Sequence, residues 1–407
     1  MISNEASVDL AIFSGKPAFS KTLHVGRPNV GNRDQLMARI NDLLDRRWLT
    51  NNGKYVQEFE SRIADMLGAR HCIAMCNATV ALEIAIRALG LTGEVIVPSF
   101  TFIATAHALQ WQEITPVFCD IDPATHCIDP NCVERMITPR TSGIIGVHLW
   151  GRPCDTATLQ AIADEHHIKL MFDAAHALAC SHDGRMIGNF GECEVFSFHA
   201  TKFFNTLEGG AVVTNNDDLA AKIRLMKNFG FAGYDNVIYI GTNGKMNEVC
   251  AAMGLTSLES LDEFIAVNRS NYECYKRELD AVPGISVIDY GDTERRNYQY
   301  MVLEVDEDAA TISRDLLLNV LHAENIIARR YFYPGCHRME PYRSYFPHAG
   351  FLLPETEKLS ERVLSLPTGT AVGTDEIKQI CRIIRTAVAN GRQITERLSS
   401  GESGASR

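Results

Sequence analysis

Residues 196–210 read Phe196-Ser197-Phe198-His199-Ala200-Thr201-Lys202-Phe203-Phe204-Asn205-Thr206-Leu207-Glu208-Gly209-Gly210. The apolar residues up to Phe198 read as the end of a buried strand, and Gly209-Gly210 as the tight entry to the next, Ala211–Thr214. A single lysine is thereby held in the connection between two buried segments. Outward from this stretch, further β-rich runs occur at Glu94–Val97, Pro116–Asp120, Gly143–Leu149, Lys169–Asp173 and Glu194–Phe198. Helical patterns alternate with them over Thr79–Leu89, Ile103–Trp111, Thr156–His167 (with Asp155 placed to cap it) and Leu219–Phe229. Several of the runs are apolar along their whole length rather than every second residue, which a mostly parallel sheet covered on both faces requires. The predicted fold class is therefore α/β, a doubly covered sheet in a large domain.

A long helical stretch, Asn247–Leu279, ends at Pro283-Gly284, and the pattern then changes. Strands at Ile285–Tyr290, Tyr298–Val305 and Ile326–Tyr331, a helix at Ile312–Glu324 and a final helix at Asp375–Thr395 predict a smaller C-terminal α+β domain. The expected division is an N-terminal arm over 1–24, a large domain over 25–280, a small domain over 281–396 and a disordered Ser/Gly-rich tail over 397–407.

Composition narrows the chemistry. The 407 residues carry 39 Lys+Arg against 50 Asp+Glu, a net charge of −11, and no basic run; nucleic acid is not an expected partner. No apolar run reaches the roughly 18 residues of a membrane span, so no membrane is expected either. Glu5 and Asp9 stand where a secretory signal would be basic and then apolar, which predicts a cytoplasmic location. The 12 cysteines include no C-x-x-C pair, and no histidine pair completes a zinc set, so no metal is predicted. G-x-G-x-x-G, G-x-x-x-x-G-K-[ST], H-E-x-x-H and G-x-S-x-G are all absent.

What remains is the lysine. Burial disfavours a charged amine and drives Lys202 toward the neutral form that Schiff-base chemistry with an aldehyde cofactor needs. A lone lysine after a strand is more often simply at the surface; its companions bear on the choice. Lys169–Asp173 ends in Asp173-Ala174-Ala175-His176, placing a carboxylate at the carboxyl end of a central strand, where open α/β sheets bind ligands. That carboxylate either caps the next helix or pairs with a cation such as the protonated ring nitrogen of pyridoxal phosphate (PLP). Cys76-Asn77-Ala78-Thr79 opens an apolar helix whose free amides suit a phosphate, although helices that bind nothing begin the same way.

Together these residues resemble the DegT/DnrJ/EryC1/StrS family of PLP-dependent nucleotide-sugar aminotransferases, over about residues 25–395. The resemblance implies the aspartate-aminotransferase fold (fold type I), with Lys202 as the catalytic lysine that links to the cofactor and Asp173 holding its ring nitrogen. By the same resemblance His176 meets the phenolic oxygen, in a position where many relatives have Gln, and Phe102 of Val97-Pro98-Ser99-Phe100-Thr101-Phe102-Ile103-Ala104-Thr105 stacks on the ring. Phosphate contacts fall on Ala78, Thr79 and Ser197, and on Asn243 of Gly241-Thr242-Asn243-Gly244-Lys245-Met246, supplied across a homodimer with shared active sites.

The Phe-Ser-Phe-His-Ala-Thr-Lys form, with Val25-Gly26-Arg27-Pro28-Asn29, Val147–Cys154 and Tyr331–His337, is similar to a branch that aminates carbon 4. It implies L-glutamate as amino donor and a dTDP-linked 4-keto-6-deoxy sugar as acceptor; a carbon-3 aminotransferase is the alternative. A PLP-binding regulatory protein without turnover is disfavoured by the intact Lys202, Asp173 and Asn243. The retained Lys202 also argues against dehydratase relatives, which carry histidine there. His199, Tyr331 and His337 are further candidates for substrate contact, with ordinary packing as the competing role.

Overall fold

The apolar runs assemble, in a computed structural model that describes residues 9–400, into a seven-stranded sheet. Its strands are β1 (His71–Met75), β2 (Glu94–Pro98), β3 (Thr115–Cys119), β4 (Thr141–Val147), β5 (Lys169–Asp173), β6 (Glu194–Ser197) and β7 (Gly210–Thr214). Their spatial order is β1-β7-β6-β5-β4-β2-β3. Only β7 runs against its neighbours, pairing Gly210 with Met75 on one side and with Ser197 on the other. The remaining pairings are parallel, which places the carboxyl ends of β1, β2, β4, β5 and β6 along one edge, where β7 begins.

Alternation along each strand divides the core between two faces. Ile73, Val95, Val97, Ile145, Met171, Val195 and Val212 join one buried cluster. Cys72, Ala74, Ile96, Ile144, Leu170, Phe172, Phe196, Ala211 and Val213 join the other. Helices cover both faces, and their starts are capped by the residues that precede them. Asn77 Oδ1 accepts from the Val80 N–H at 2.9 Å ahead of the helix Ala78–Leu89. Asp155 Oδ1 accepts from the Thr158 N–H at 3.0 Å ahead of Thr156–Glu165, the cap expected of it.

Several boundaries differ from the sequence reading. Asn247–Leu279 is two helices, Glu248–Glu259 and Leu261–Leu279, broken at Ser260. The strand expected from Tyr298 starts at Met301, because Tyr298 has φ 49° and Asn297 turns its amide onto the His176 carbonyl at 2.8 Å. The strand at Ile326–Tyr331 is only Ile326–Ile327. A fully buried strand at Val363–Leu366, too short to be assigned from pattern, completes a three-stranded antiparallel sheet with Ile285–Val287 and Met301–Val305. The helices Arg33–Arg46 and Lys54–Leu67, on which the sequence reading is silent, lie ahead of β1.

The described parts of the N-terminal arm and of the C-terminal helix are both held by contacts with distant segments. Leu23–His24 pairs in parallel with Ile326–Ile327, and Glu324 Oε1 and Oε2 accept from the Ala11 and Ala18 amides, each at 2.7 Å. The C-terminal helix breaks at Asn390 and resumes as Gly391–Ser399. A disordered tail from 397 is therefore corrected. Ile394 of that last helix is fully buried, and Arg397 lies over the Phe13 ring at 3.8 Å, which holds the helix through Ser399. The rest of the expected tail, 401–407, lies outside the described residues. No described helix is long and apolar enough to cross a membrane.

Candidate active site

The sheet edge that collects the strand ends opens into a cavity of about 620 Å³. Its lining includes Ala78, Thr79, Phe102, Asp173, His176, Ser197, His199, Lys202 and Tyr331, residues gathered from the ends of β1, β2, β5 and β6 and from the C-terminal region. Asp173 is buried at the end of β5. Its Oδ2 accepts from Thr105 Oγ1 at 2.8 Å and its Oδ1 from the Ala175 N–H at 3.0 Å. Burial nevertheless pushes its carboxyl pKa up, with the two hydrogen bonds and the Lys202 amine opposing. Such a carboxylate gains from a cation in the cavity.

Lys202 sits in the turn between β6 and β7, where its N–H donates to the His199 carbonyl at 2.9 Å. Its Nζ donates to the Tyr300 hydroxyl at 3.2 Å. Desolvation pushes its pKa down to about 8, against the pull of Asp173 and Tyr331. The turn depends on small residues. A Cβ on Gly210 would lie 2.6 Å from the Ala78 amide nitrogen, so β7 can enter across the start of Ala78–Leu89 only as glycine.

His176 is buried, and its pKa is pushed well down by desolvation and by Lys202. Its Nδ1 accepts from the Trp150 N–H at 3.2 Å, so the neutral ring carries its proton on Nε2. Its ring lies parallel to Phe332 with centroids 5.7 Å apart. Phe102 is more than half exposed at the cavity wall, its ring centroid 6.3 Å from that of Phe332.

PLP fits this set on the chain's own features: a buried carboxylate with unfilled acceptor capacity, a lysine of lowered pKa in the same cavity, and helix-start amides at Ala78 and Thr79 beneath a glycine entry.

Not every candidate comes to this cavity. His337 is buried outside its lining, with Nδ1 bonded to Ser99 Oγ at 2.7 Å and Nε2 to Glu357 Oε1 at 2.5 Å. Both ring nitrogens are thus occupied, the Ser99 bond tying the C-terminal region to the end of β2 and the Glu357 bond lying within that region. Asn243 is exposed and does not line the cavity of its own chain; it bridges to Asn228. His199 lines the mouth, with Nδ1 2.8 Å from Thr201 Oγ1. The cavity also contains residues that sequence reasoning passes over. Tyr300 sits far along the chain with no motif to mark it, and Phe332 lies within the quoted Tyr331–His337 segment without a role assigned to it; Thr105, which ends the quoted aromatic motif, supports Asp173 without lining the cavity.

A mostly parallel sheet with a carboxylate and a lysine of depressed pKa at its carboxyl edge defines a PLP-dependent aminotransferase of fold type I. The model of the DegT/DnrJ/EryC1/StrS aminotransferase family matches residues 31–385, and the chain belongs to that family. It is a PLP-dependent sugar aminotransferase. It is 37% identical over 365 residues to a dTDP-4-amino-4,6-dideoxy-D-glucose transaminase of Shigella dysenteriae, covering 90% of this chain and 99% of that one. It is 32% identical over 353 residues to a GDP-perosamine synthase of Vibrio cholerae, covering 85% and 94%. A crystal structure of DesI in the presence of its TDP-sugar product superposes with a TM-score of 0.92 at 52% identity, covering 96% of this chain and 99% of that one.

Proposed function

We propose that this enzyme moves the amino group of L-glutamate to carbon 4 of dTDP-4-keto-6-deoxy-D-glucose, giving dTDP-4-amino-4,6-dideoxy-D-glucose and 2-oxoglutarate. The observation that carries the reading is the convergence of Lys202, Asp173 and His176 on one cavity at the sheet edge. The likeness to the Shigella dysenteriae transaminase and to DesI with its TDP-sugar product supports the sugar and the nucleotide.

Bound PLP supplies an aldehyde that captures amines and a ring that draws electrons from the carbon beside the nitrogen. The chain supplies the rest. Asp173, held by Thr105 and Ala175, keeps the ring nitrogen protonated. Ala78 and Thr79 amides and the Ser197 hydroxyl hold the phosphate. Phe102 would cover one ring face, and His176 would donate from Nε2 to the phenolic oxygen. Lys202 would anchor the cofactor, and its amine would move the protons, taking one from the α-carbon of glutamate and delivering one to carbon 4 of the sugar. A pKa lowered to about 8 leaves about a tenth of that amine unprotonated at pH 7, well above the share of an ordinary lysine.

The working form is a homodimer in which Asn243 completes the partner's phosphate site. Support comes from its exposure at the base of the segment 229–241, where Phe229, Tyr234, Ile238 and Ile240 are all exposed large hydrophobics. A second reading, a GDP-linked acceptor, is favoured by the likeness to GDP-perosamine synthases. Steady-state kinetics with dTDP- and GDP-linked 4-keto-6-deoxy sugars and glutamate separates them. A higher kcat/KM for the dTDP sugar is expected, and a preference for the GDP sugar would reverse the nucleotide assignment.

A further inference from the structure

On the face of the sheet opposite Asp173, His148 and Glu194 form a pair with no exposure to solvent. Neither residue lines the cavity. Glu194 Oε1 lies 2.8 Å from His148 Nε2, and its Oε2 accepts from the Gly188 and Phe190 amides. His148 Nδ1 accepts from the Cys154 N–H at 3.1 Å. With Nδ1 an acceptor, the proton sits on Nε2 and is donated to the carboxylate. The His148 ring also stacks on Phe172, with centroids 4.6 Å apart and planes 16° from parallel. A histidine with every polar atom used is a fixed post.

The post holds both ends of one turn. His148 donates its own N–H to the Asp173 carbonyl at 3.0 Å, and its ring captures Cys154 six residues later. Between them Trp150 takes a left-handed conformation, φ 55° and ψ 18°, that a bulky residue adopts only when its surroundings impose it. In that conformation the Trp150 N–H points at His176 Nδ1, 3.2 Å away. The backbone of His176 is held from the other side, where Asn297 Nδ2 and Gln299 Nε2 donate to its carbonyl at 2.8 and 3.0 Å. Nε2 is the nitrogen left for the cavity.

We propose that His148 and Glu194 are positioning residues: by clamping the 148–154 turn they keep the Trp150 N–H on Nδ1 of His176 and so fix the tautomer whose Nε2–H donates into the cavity. The group that receives this donation rests on the PLP reading above; the tautomer itself does not. The alternative tautomer would set two N–H groups against each other at Nδ1 and present an acceptor where the cofactor's phenolic oxygen needs a donor.

The test is long-range ¹H–¹⁵N NMR of the full-length protein labelled at histidine, with and without PLP, using His176→Gln to identify the His176 signals. Wild type is expected to show His176 as a single neutral Nε2–H tautomer at pH 7 in both states. His148→Phe retains a ring on Phe172 but has no ring nitrogen. In that variant His176 should exchange between tautomers, and kcat should fall about tenfold with the glutamate KM within about twofold, as expected from losing one hydrogen bond at the site. An Nδ1–H tautomer in wild type overturns the proposal whatever the variants do. So does an unchanged single Nε2–H signal in a folded His148→Phe, or in Glu194→Gln should the first variant fail to fold. If the tautomer is as stated but PLP does not bind, the cofactor reading fails while the clamp stands.

Discussion

The sharpest consequence of the site concerns the Lys202 amine. An ordinary lysine side chain has a pKa near 10.5, and burial beside Tyr300 lowers Lys202 to about 8. At pH 8 half of such an amine is neutral, against about 0.3% for an unperturbed one, so Lys202 should react about 150-fold faster than a surface lysine of equal access. The perturbation is Asp173→Asn, which deletes the negative charge that opposes the shift; the Lys202 midpoint must then move further down. The assay is the pH dependence of acylation of cofactor-free protein, with the modified lysine quantified by peptide mass spectrometry. A wild-type midpoint near 10.5 would show that Lys202 is solvated. An upward move in Asp173→Asn would show that desolvation is not the cause.

Three further outcomes follow from the same geometry. Lys202→Ala should abolish the borohydride-trapped link between cofactor and protein, read by intact mass; trapping on another lysine in wild type would reassign the anchor. Thr105→Val removes the hydroxyl that donates to buried Asp173 Oδ2, and is expected to cost about 1–3 kcal/mol in urea denaturation. If the proposed dimer shares its sites, Lys202→Ala and Asn243→Asp homodimers should each be nearly inactive at limiting PLP. Co-refolded together they should recover about a quarter of wild-type activity, because about half the dimers are mixed and each mixed dimer has one intact site. No recovery, with wild type recovering under the same treatment, would mean Asn243 does not cross between subunits.

Much of this site is readable from the chain because its chemistry is local. Asp173 announces itself as a carboxylate ending an apolar strand, and Lys202 as an amine between a buried strand and a Gly-Gly entry, and both line the cavity. Ala78, Thr79 and Ser197 do as well, since each directly follows or ends a strand or helix-start signal. Contacts between distant segments are not readable in this way. Tyr300 reaches Lys202 across 98 positions, from a stretch whose strand begins later than its apolar pattern suggests. His337 looks available in sequence, yet Ser99 and Glu357 consume both its nitrogens. The Val363–Leu366 strand is four buried residues, three of them apolar, with no period to betray it, and its assignment needs the neighbour it pairs with. The helix through Ser399 likewise depends on Phe13, near the opposite end of the chain.

The central claim is the transfer of nitrogen from glutamate to carbon 4 of a dTDP-linked sugar by this cavity. Its most direct test is to incubate the holoenzyme with ¹⁵N-glutamate and dTDP-4-keto-6-deoxy-D-glucose and to locate the label in the purified product by NMR. The account predicts ¹⁵N on carbon 4 of dTDP-4-amino-4,6-dideoxy-D-glucose with one equivalent of 2-oxoglutarate formed. Label on carbon 3, or glutamate consumed with no amino sugar formed, would contradict it.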